Sequence, residues 1–333
     1  MDSLTQIVLG ASVGEAVLGK RAGNKAMLYG AIAGTIPDLD VIFGKLTDTV
    51  TAIEWHRGIS HSLVFCLFMA PLLGWLVHKL ERRLDIEWKA WSTLFFWSLV
   101  THPLLDMFTS WGTQFLWPIQ TRIAFNSIFV IDPMYTLPFL ICLLSVLFFK
   151  RNSKTRRRLN FVGLFVSSTY LIITLLIKSV VNLKFEKALE KQGVAYTEIS
   201  SRPSALNIIL WNANIDTPEY YLMGEYSFFD TQPISFEKFP KKRGVTSELE
   251  VFPKVQRLIG ISQGWYIIEE KEDKWYFNDL RFGLIPRKGG SSFFVFSYLL
   301  EYKNGEIHVS EVPKTDRDAK FLMQRLWKRI KGN

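Results

Sequence analysis

The sequence predicts an all-α polytopic membrane bundle of about six helices followed by a β-rich soluble domain. Three observations carry that prediction. Long apolar runs fill residues 1–183 and are missing from residues 184–333, so the mean hydropathy of +0.12 averages two unlike parts. Basic residues concentrate in alternate loops between the runs. Beyond residue 183 come short stretches rich in aromatic and β-branched residues, separated by Gly, Pro, Asn and Asp.

The first run, residues 4–18, is short for a full span, and Gly10 and Gly14 form a GxxxG spacing suited to close helix packing. Residues 27–43 form a second run, rich in small residues at Gly30, Ala31, Ala33 and Gly34. Residues 63–77 and 88–108 form a third and a fourth. Residues 128–149 form a fifth, interrupted by Asp132-Pro133 and Pro138, and residues 161–183 a sixth with one charge, Lys178. In the tail, strands are expected at 207–211, 220–228, 255–262, 265–270, 275–280, 293–302 and 306–312. The Lys303-Asn304-Gly305 segment reads as a turn between the last two. An amphipathic helix is expected at 316–330, with Phe321, Leu322, Leu326, Trp327 and Ile330 at helical spacing.

Loops 19–25, 79–89 and 150–158 carry three, four and six Lys or Arg, whereas 44–59 and 107–127 carry two and one. The positive-inside rule assigns the first set to the cytoplasm. A multi-pass protein of a bacterial inner (cell) membrane is then expected, with residues 184–333 outside the cytoplasm. No basic region precedes the first apolar run, so no cleavable signal peptide is expected. The net charge of +9 is accounted for by membrane topology, and no nucleic-acid partner is expected. Cys66 and Cys142 lie inside apolar runs and form neither a disulfide framework nor a CxxC pattern.

That topology gathers the ionisable residues of the apolar part at one face. Asp38 and Asp40 end the second run, His56 and His61 precede the third, and His102 and Asp106 end the fourth. Asp132 opens the fifth at the same side, and Asp2 opens the first. His102 and Asp106 are spaced i, i+4, so one helix face presents an imidazole and a carboxylate together. Each group also has a plain structural reading: Asp38 and Asp40 as punctuation after Pro37, His56 and His61 as members of a solvated loop, His102 as a hydrogen-bonded histidine inside a bundle. Inside a membrane run, however, a charged group is costly and marks function by default. The mixed His and Asp set suits a divalent metal, zinc first, with manganese or iron as alternatives. Arg57, with Ser60 and Ser62, suits an anionic substrate. Glu54 is a candidate general base, with a plain surface glutamate as its other reading.

A resemblance bears on the same residues. Met1-Asp2-Ser3-Leu4-Thr5, Ile36-Pro37-Asp38-Leu39-Asp40, His56-Arg57-Gly58-Ile59-Ser60-His61-Ser62, His102-Pro103-Leu104-Leu105-Asp106 and Ile131-Asp132-Pro133, in that order, resemble the YdjM-like family of inner-membrane metal-dependent hydrolases. The resemblance covers about residues 1–180 and implies an integral membrane protein with a hydrolase-like metal site. The His-x3-Asp element is also similar to one in zinc-dependent phospholipase C. The family often has a His where this chain has Gln6. The resemblance does not reach the tail.

The expected function is metal-dependent hydrolysis of a phosphoester or lipid-linked substrate at the outer face of the membrane, with membrane lipid as a partner. In that reading Asp38, Asp40, His56, His61, His102 and Asp106 hold the metal, and Arg57 stabilises charge on the substrate. A scaffold or sensor with a structural metal and a partner-binding β domain is the alternative. Transport is a third possibility. It is disfavoured because the ionisable groups gather at one face and no internal repeat is present.

Overall fold

The computed structural model describes residues 1–290, 292–303, 305–314 and 318–333. They divide into two compact units. The first comprises Met1–Phe43, Trp55–Leu176 and Ala205–Asn207; the second comprises Gly44–Glu54, Ile177–Ser204 and Ile208–Asn333.

The first unit is helical. It contains α1 (Ser3–Ala22), α2 (Asn24–Thr35), a short turn of helix at Pro37–Leu39 leading into α3 (Asp40–Gly44), and a helix α4 (Thr49–Trp55) whose last residue lies in this unit. Then follow α5 (Leu63–Leu80), α6 (Trp88–Asp106), α7 (Pro133–Val146) and the first part of α8 (Lys154–Lys191). Helices α1 and α2 meet backbone to backbone. A Cβ placed on Gly10 would lie 2.3 Å from the Gly30 carbonyl oxygen, and one on Gly14 would lie 2.2 Å from that of Ala26. The small residues therefore set the helix spacing, as GxxxG does between membrane helices.

Three segments are long and apolar enough to cross a membrane: Asn24–Gly44, Leu63–Leu80 and Lys154–Lys191. Pro133–Val146 is apolar but shorter. The expected count of about six is therefore not reached among the described residues. The reason lies in α1 and α6. Both are long enough, but α1 buries Gln6, Ser12 and Glu15, and α6 buries Ser98, His102 and Asp106. Their polar residues face protein, so an interior position substitutes for apolar composition.

The second unit holds two four-stranded antiparallel sheets. The first is a meander of β1 (Glu198–Pro203), β2 (Leu210–Asp216), β3 (Tyr220–Ser227) and β4 (Phe236–Pro240). Val181, Phe185 and Leu189 of α8 pack into its core with Trp211 and Ile215. After α9 (Arg243–Glu250) and α10 (Pro253–Ile261) comes the second sheet: β5 (Tyr266–Lys271), β6 (Lys274–Pro286), β7 (Ser292–Lys303) and β8 (Glu306–Glu311). The chain closes with α11 (Ala319–Ile330).

Sequence and structure differ here at several elements, among them α9, which was not expected, and β2, which starts later and runs further than the expected 207–211. Residues 255–262, expected as a strand, form α10 instead. Pro253 presets its first turn, and Val255, Leu258 and Ile261 fall on one buried face at helical spacing. Strands β1 and β4 were not expected; each is short, and β4 is mostly half-buried or exposed. Of the expected terminal helix and turn, Asp316, Arg317 and Asn304 lie outside the described residues.

Candidate metal centre

The site is built where α2 ends. Pro37 stops the helix, and the turn that follows carries Asp38 and Asp40. The loop after α4 supplies His56 and Arg57, and a short helical turn at Ile59–His61 supplies His61. The last turn of α6 supplies His102 and Asp106, both fully buried.

Asp38, His61, His102 and Asp106 converge and could hold a metal ion: one ligand atom of each lies within 4.8 Å of all the others. The Nε2 atoms of His61 and His102 are 3.2 Å apart. Asp38 Oδ1 lies 3.3 Å from the first and 3.4 Å from the second. Asp106 Oδ2 lies 3.5 Å from the first and 3.6 Å from the second. Zinc bonds of ~2.0–2.2 Å imply tetrahedron edges of ~3.3–3.6 Å. Four of these five separations therefore fall in that range before any ion is considered, and the fifth, at 3.2 Å, lies just below it.

Proton placement points the same way. His102 Nδ1 lies 2.6 Å from the Gly34 carbonyl oxygen. That oxygen only accepts, so Nδ1 carries a proton, and in the neutral ring Nε2 then carries a lone pair. Ser60 Oγ donates its one proton to Asp40 Oδ2 at 3.0 Å, so at 2.9 Å it accepts from His61 Nδ1. His61 Nε2 is then also a lone pair. With both rings neutral, two lone pairs and two carboxylate oxygens face one another, an arrangement that repels unless a cation, a metal ion or a further proton, lies among them. Asp106 Oδ2 is buried and accepts no hydrogen bond. Arg57 Nε approaches it to 3.1 Å as an ion pair without hydrogen-bond alignment.

Around these four atoms lies a supporting layer. Gln6 Nε2 donates to Asp106 Oδ1 at 2.9 Å, and the amino group of Met1 donates to the same oxygen, which leaves Oδ2 turned to the cluster. Asp40 accepts from the Arg57 backbone N–H at 2.8 Å and lies 3.1 Å from His56 Nδ1. Arg57 Nη1 donates to Thr109 Oγ1 at 2.8 Å. Burial of the His56 ring outweighs the nearby Asp40 carboxylate and holds its pKa below the ordinary imidazole value.

The remaining sequence candidates stand elsewhere. Asp2 caps α1 and accepts from the Thr5 backbone N–H at 3.1 Å. Asp132 caps α7, accepting from Met134 N at 2.9 Å and from the Tyr170 hydroxyl at 2.8 Å. The Glu54 carboxylate accepts from Arg257 within the second unit. Asp40 and His56 adjoin the four-residue cluster as a pair rather than joining it. The roles of Gln6, Thr109 and the Gly34 carbonyl were not foreseen. For Gln6 a signal existed, because it occupies the position where the resembling family often has a His. For Gly34 there was none, since a backbone carbonyl leaves no trace in sequence.

Fold and site define a class: a protein with apolar helices able to cross a membrane and a buried His/Asp cluster able to hold a metal ion. The chain belongs to the family described as YdjM inner membrane protein, which it matches over residues 1–181. It is 35% identical over 104 residues to the inner membrane protein YbcI of Escherichia coli (strain K12), covering 30% of this chain and 58% of that protein. It is 28% identical over 142 residues to the uncharacterized protein YfhP of Bacillus subtilis (strain 168), covering 40% of this chain and 42% of that protein. The match thus spans about half the length of these relatives. No solved structure matches the chain.

Proposed function

We propose that this protein is a membrane-bound, metal-dependent hydrolase acting on a phosphoester or lipid-linked substrate. One observation carries the reading: beside the four converging ligand atoms stands a His–Asp pair, His56 on Asp40, that a purely structural metal would not require. In this reading Asp38, His61, His102 and Asp106 hold zinc, with manganese or iron as alternatives. When bound, such an ion supplies Lewis acidity and lowers the pKa of a coordinated water. Asp40 orients His56 through Nδ1, which leaves the partly exposed ring able to take or give a proton at Nε2. Arg57 contributes fixed positive charge at the cluster, suited to a developing anion. Asp38, whose side chain is 26% exposed while the other three are at 0%, marks the side from which substrate approaches.

The basic loops lie at the helix ends away from the cluster, which supports an outer-face site and a C-terminal domain outside the cytoplasm. A reporter fused after Asn333 tests that topology; activity only in the cytoplasm would invert it.

A second reading has its own observation. Four protein ligands around one point, three of them fully buried, suit a structural ion in a scaffold or sensor. Metal content and turnover of a lipid-phosphoester panel, measured on wild type, His102→Ala and His56→Gln in detergent, separate the two. The hydrolase reading expects metal and turnover in wild type, loss of both in His102→Ala, and loss of turnover with metal retained in His56→Gln. Metal retention without turnover across the panel would leave only the structural ion.

A further inference from the structure

Residues Gly44–Glu54 belong to the second unit, although the chain on both sides of them belongs to the first. This segment joins Asp40 to His56 and Arg57, so it connects two parts of the site's polar layer. Its anchorage is specific. Asp48 caps α4 by accepting from the Val50 backbone N–H at 3.1 Å. Val50 is fully buried in one cluster with Val255, Leu258 and Ile261 of α10 and with Tyr298 and Ile307, and Ile53 packs against the same cluster. On the adjoining face of α4, Arg257 Nε donates to Glu54 Oε2 at 3.1 Å, and Arg257 Nη2 donates to Thr51 Oγ1 at 3.0 Å. One apolar plug and one guanidinium clamp therefore fasten α4 into the β-rich unit.

Just beyond the clamp the backbone is strained. Arg57 has φ +57°, the left-handed region that residues with a Cβ occupy at a cost. Such a conformation persists only where its surroundings over-determine it. On the site side it is held by Asp40, which accepts the Arg57 N–H, by Thr109, and by Gln114, whose N–H donates to the Arg57 carbonyl at 3.0 Å. On the other side the chain is held three residues earlier, at Glu54.

We infer that Val50, Glu54 and Arg257 are positioning residues for the metal centre. By gripping α4, the β-rich unit sets the loop that carries His56 and Arg57, and with it the affinity of the cluster for metal. The coupling runs along the chain and makes the C-terminal domain a regulator of the site. The inference rests on the metal reading above.

The test is a charge reversal in the full-length protein in detergent. Zinc affinity is read by competition with a chromophoric chelator for wild type, Glu54→Arg, Arg257→Glu and the double variant. Each single reversal is expected to weaken zinc binding on the order of fivefold or more, and the double to recover most of the loss. Thermal unfolding reports whether each variant is folded. Val50→Ala, which loosens the plug without charge, replaces any reversal that does not fold, and is expected to weaken zinc binding as well. Zinc affinity unchanged in the folded single variants, or in Val50→Ala, overturns the inference; so does a double variant no better than the singles. Failure of wild type to bind zinc would instead remove the metal reading itself.

Discussion

Replacing Gly10 by Ala adds one methyl group at a residue that is not itself one of the four candidate ligands, yet it should weaken the candidate metal centre. The new Cβ would lie 2.3 Å from the Gly30 carbonyl oxygen and 3.0 Å from Gly34 Cα, where ordinary contact begins at 3.4 Å. Both obstacles are backbone, so no rotamer change relieves them, and α2 must retreat by about 1 Å. Gly34 lies in that contact, and its carbonyl holds His102 Nδ1 at 2.6 Å. A shift of that size takes the pair to the limit of a hydrogen bond and frees the imidazole to turn. In an ordinary helix interior Gly→Ala stabilises by about 1 kcal/mol. Here overpacking of about 1–3 kcal/mol opposes and exceeds that gain. Loss of a supporting hydrogen bond to a metal-ligating His lowers affinity about 10–100-fold. The assay is zinc competition together with unfolding in detergent micelles. Leu28→Ala serves as the control, a side chain 55% exposed on the same helix α2. Greater stability in Gly10→Ala, with zinc affinity within twofold of wild type, would refute the packing argument.

Two further predictions follow from buried charge and from titration. Arg156 donates to Glu15 through Nε at 2.7 Å and Nη2 at 2.6 Å, with both side chains buried. Arg156→Met alone should cost about 3–5 kcal/mol, whereas Arg156→Met with Glu15→Gln should recover most of it, as unfolding measurements will show; equal losses would mean the unpaired carboxylate is not the cause. His56 has a folded pKa depressed below its unfolded value, so the unfolded chain binds more protons as pH falls through about 6.5. Stability should therefore drop on acidification from about pH 7 to 5, and His56→Gln should flatten that slope in a pH series of melting curves; an unchanged slope excludes His56 as its source.

Much of this was legible in the chain alone. Division into an apolar helical part and a β-rich tail follows from composition, because apolar runs and alternating aromatic strands are one-dimensional patterns. Four residues of the site were legible too. His102 and Asp106 share a helix face by spacing, and Asp38 and His61 stand out as ionisable groups bordering apolar runs. The helix over residues 253–261 was misread because a β-branched and aliphatic segment of that length fits either period, and only burial of Val255, Leu258 and Ile261 on one face decides it.

What only the tertiary structure decided is which of eight candidate ligands meet. Sequence spacing places groups on an element, but convergence depends on how elements pack. Backbone contact of Gly10 and Gly14 with α2 brings Gly34 to His102. The hydrogen-bond order from Asp40 through Ser60 to His61 turns a second imidazole to the same point. Asp2 and Asp132 share the residue type and the sequence signal, yet both cap helices, and the second oxygen of Asp132 accepts from Tyr170. Glu54 is drawn to Arg257, about two hundred positions along the chain. The sequence alone determined the chemistry on offer and roughly where it lies; three-dimensional packing determined which groups point at one another, because direction and distance are properties of neighbours that no local pattern encodes.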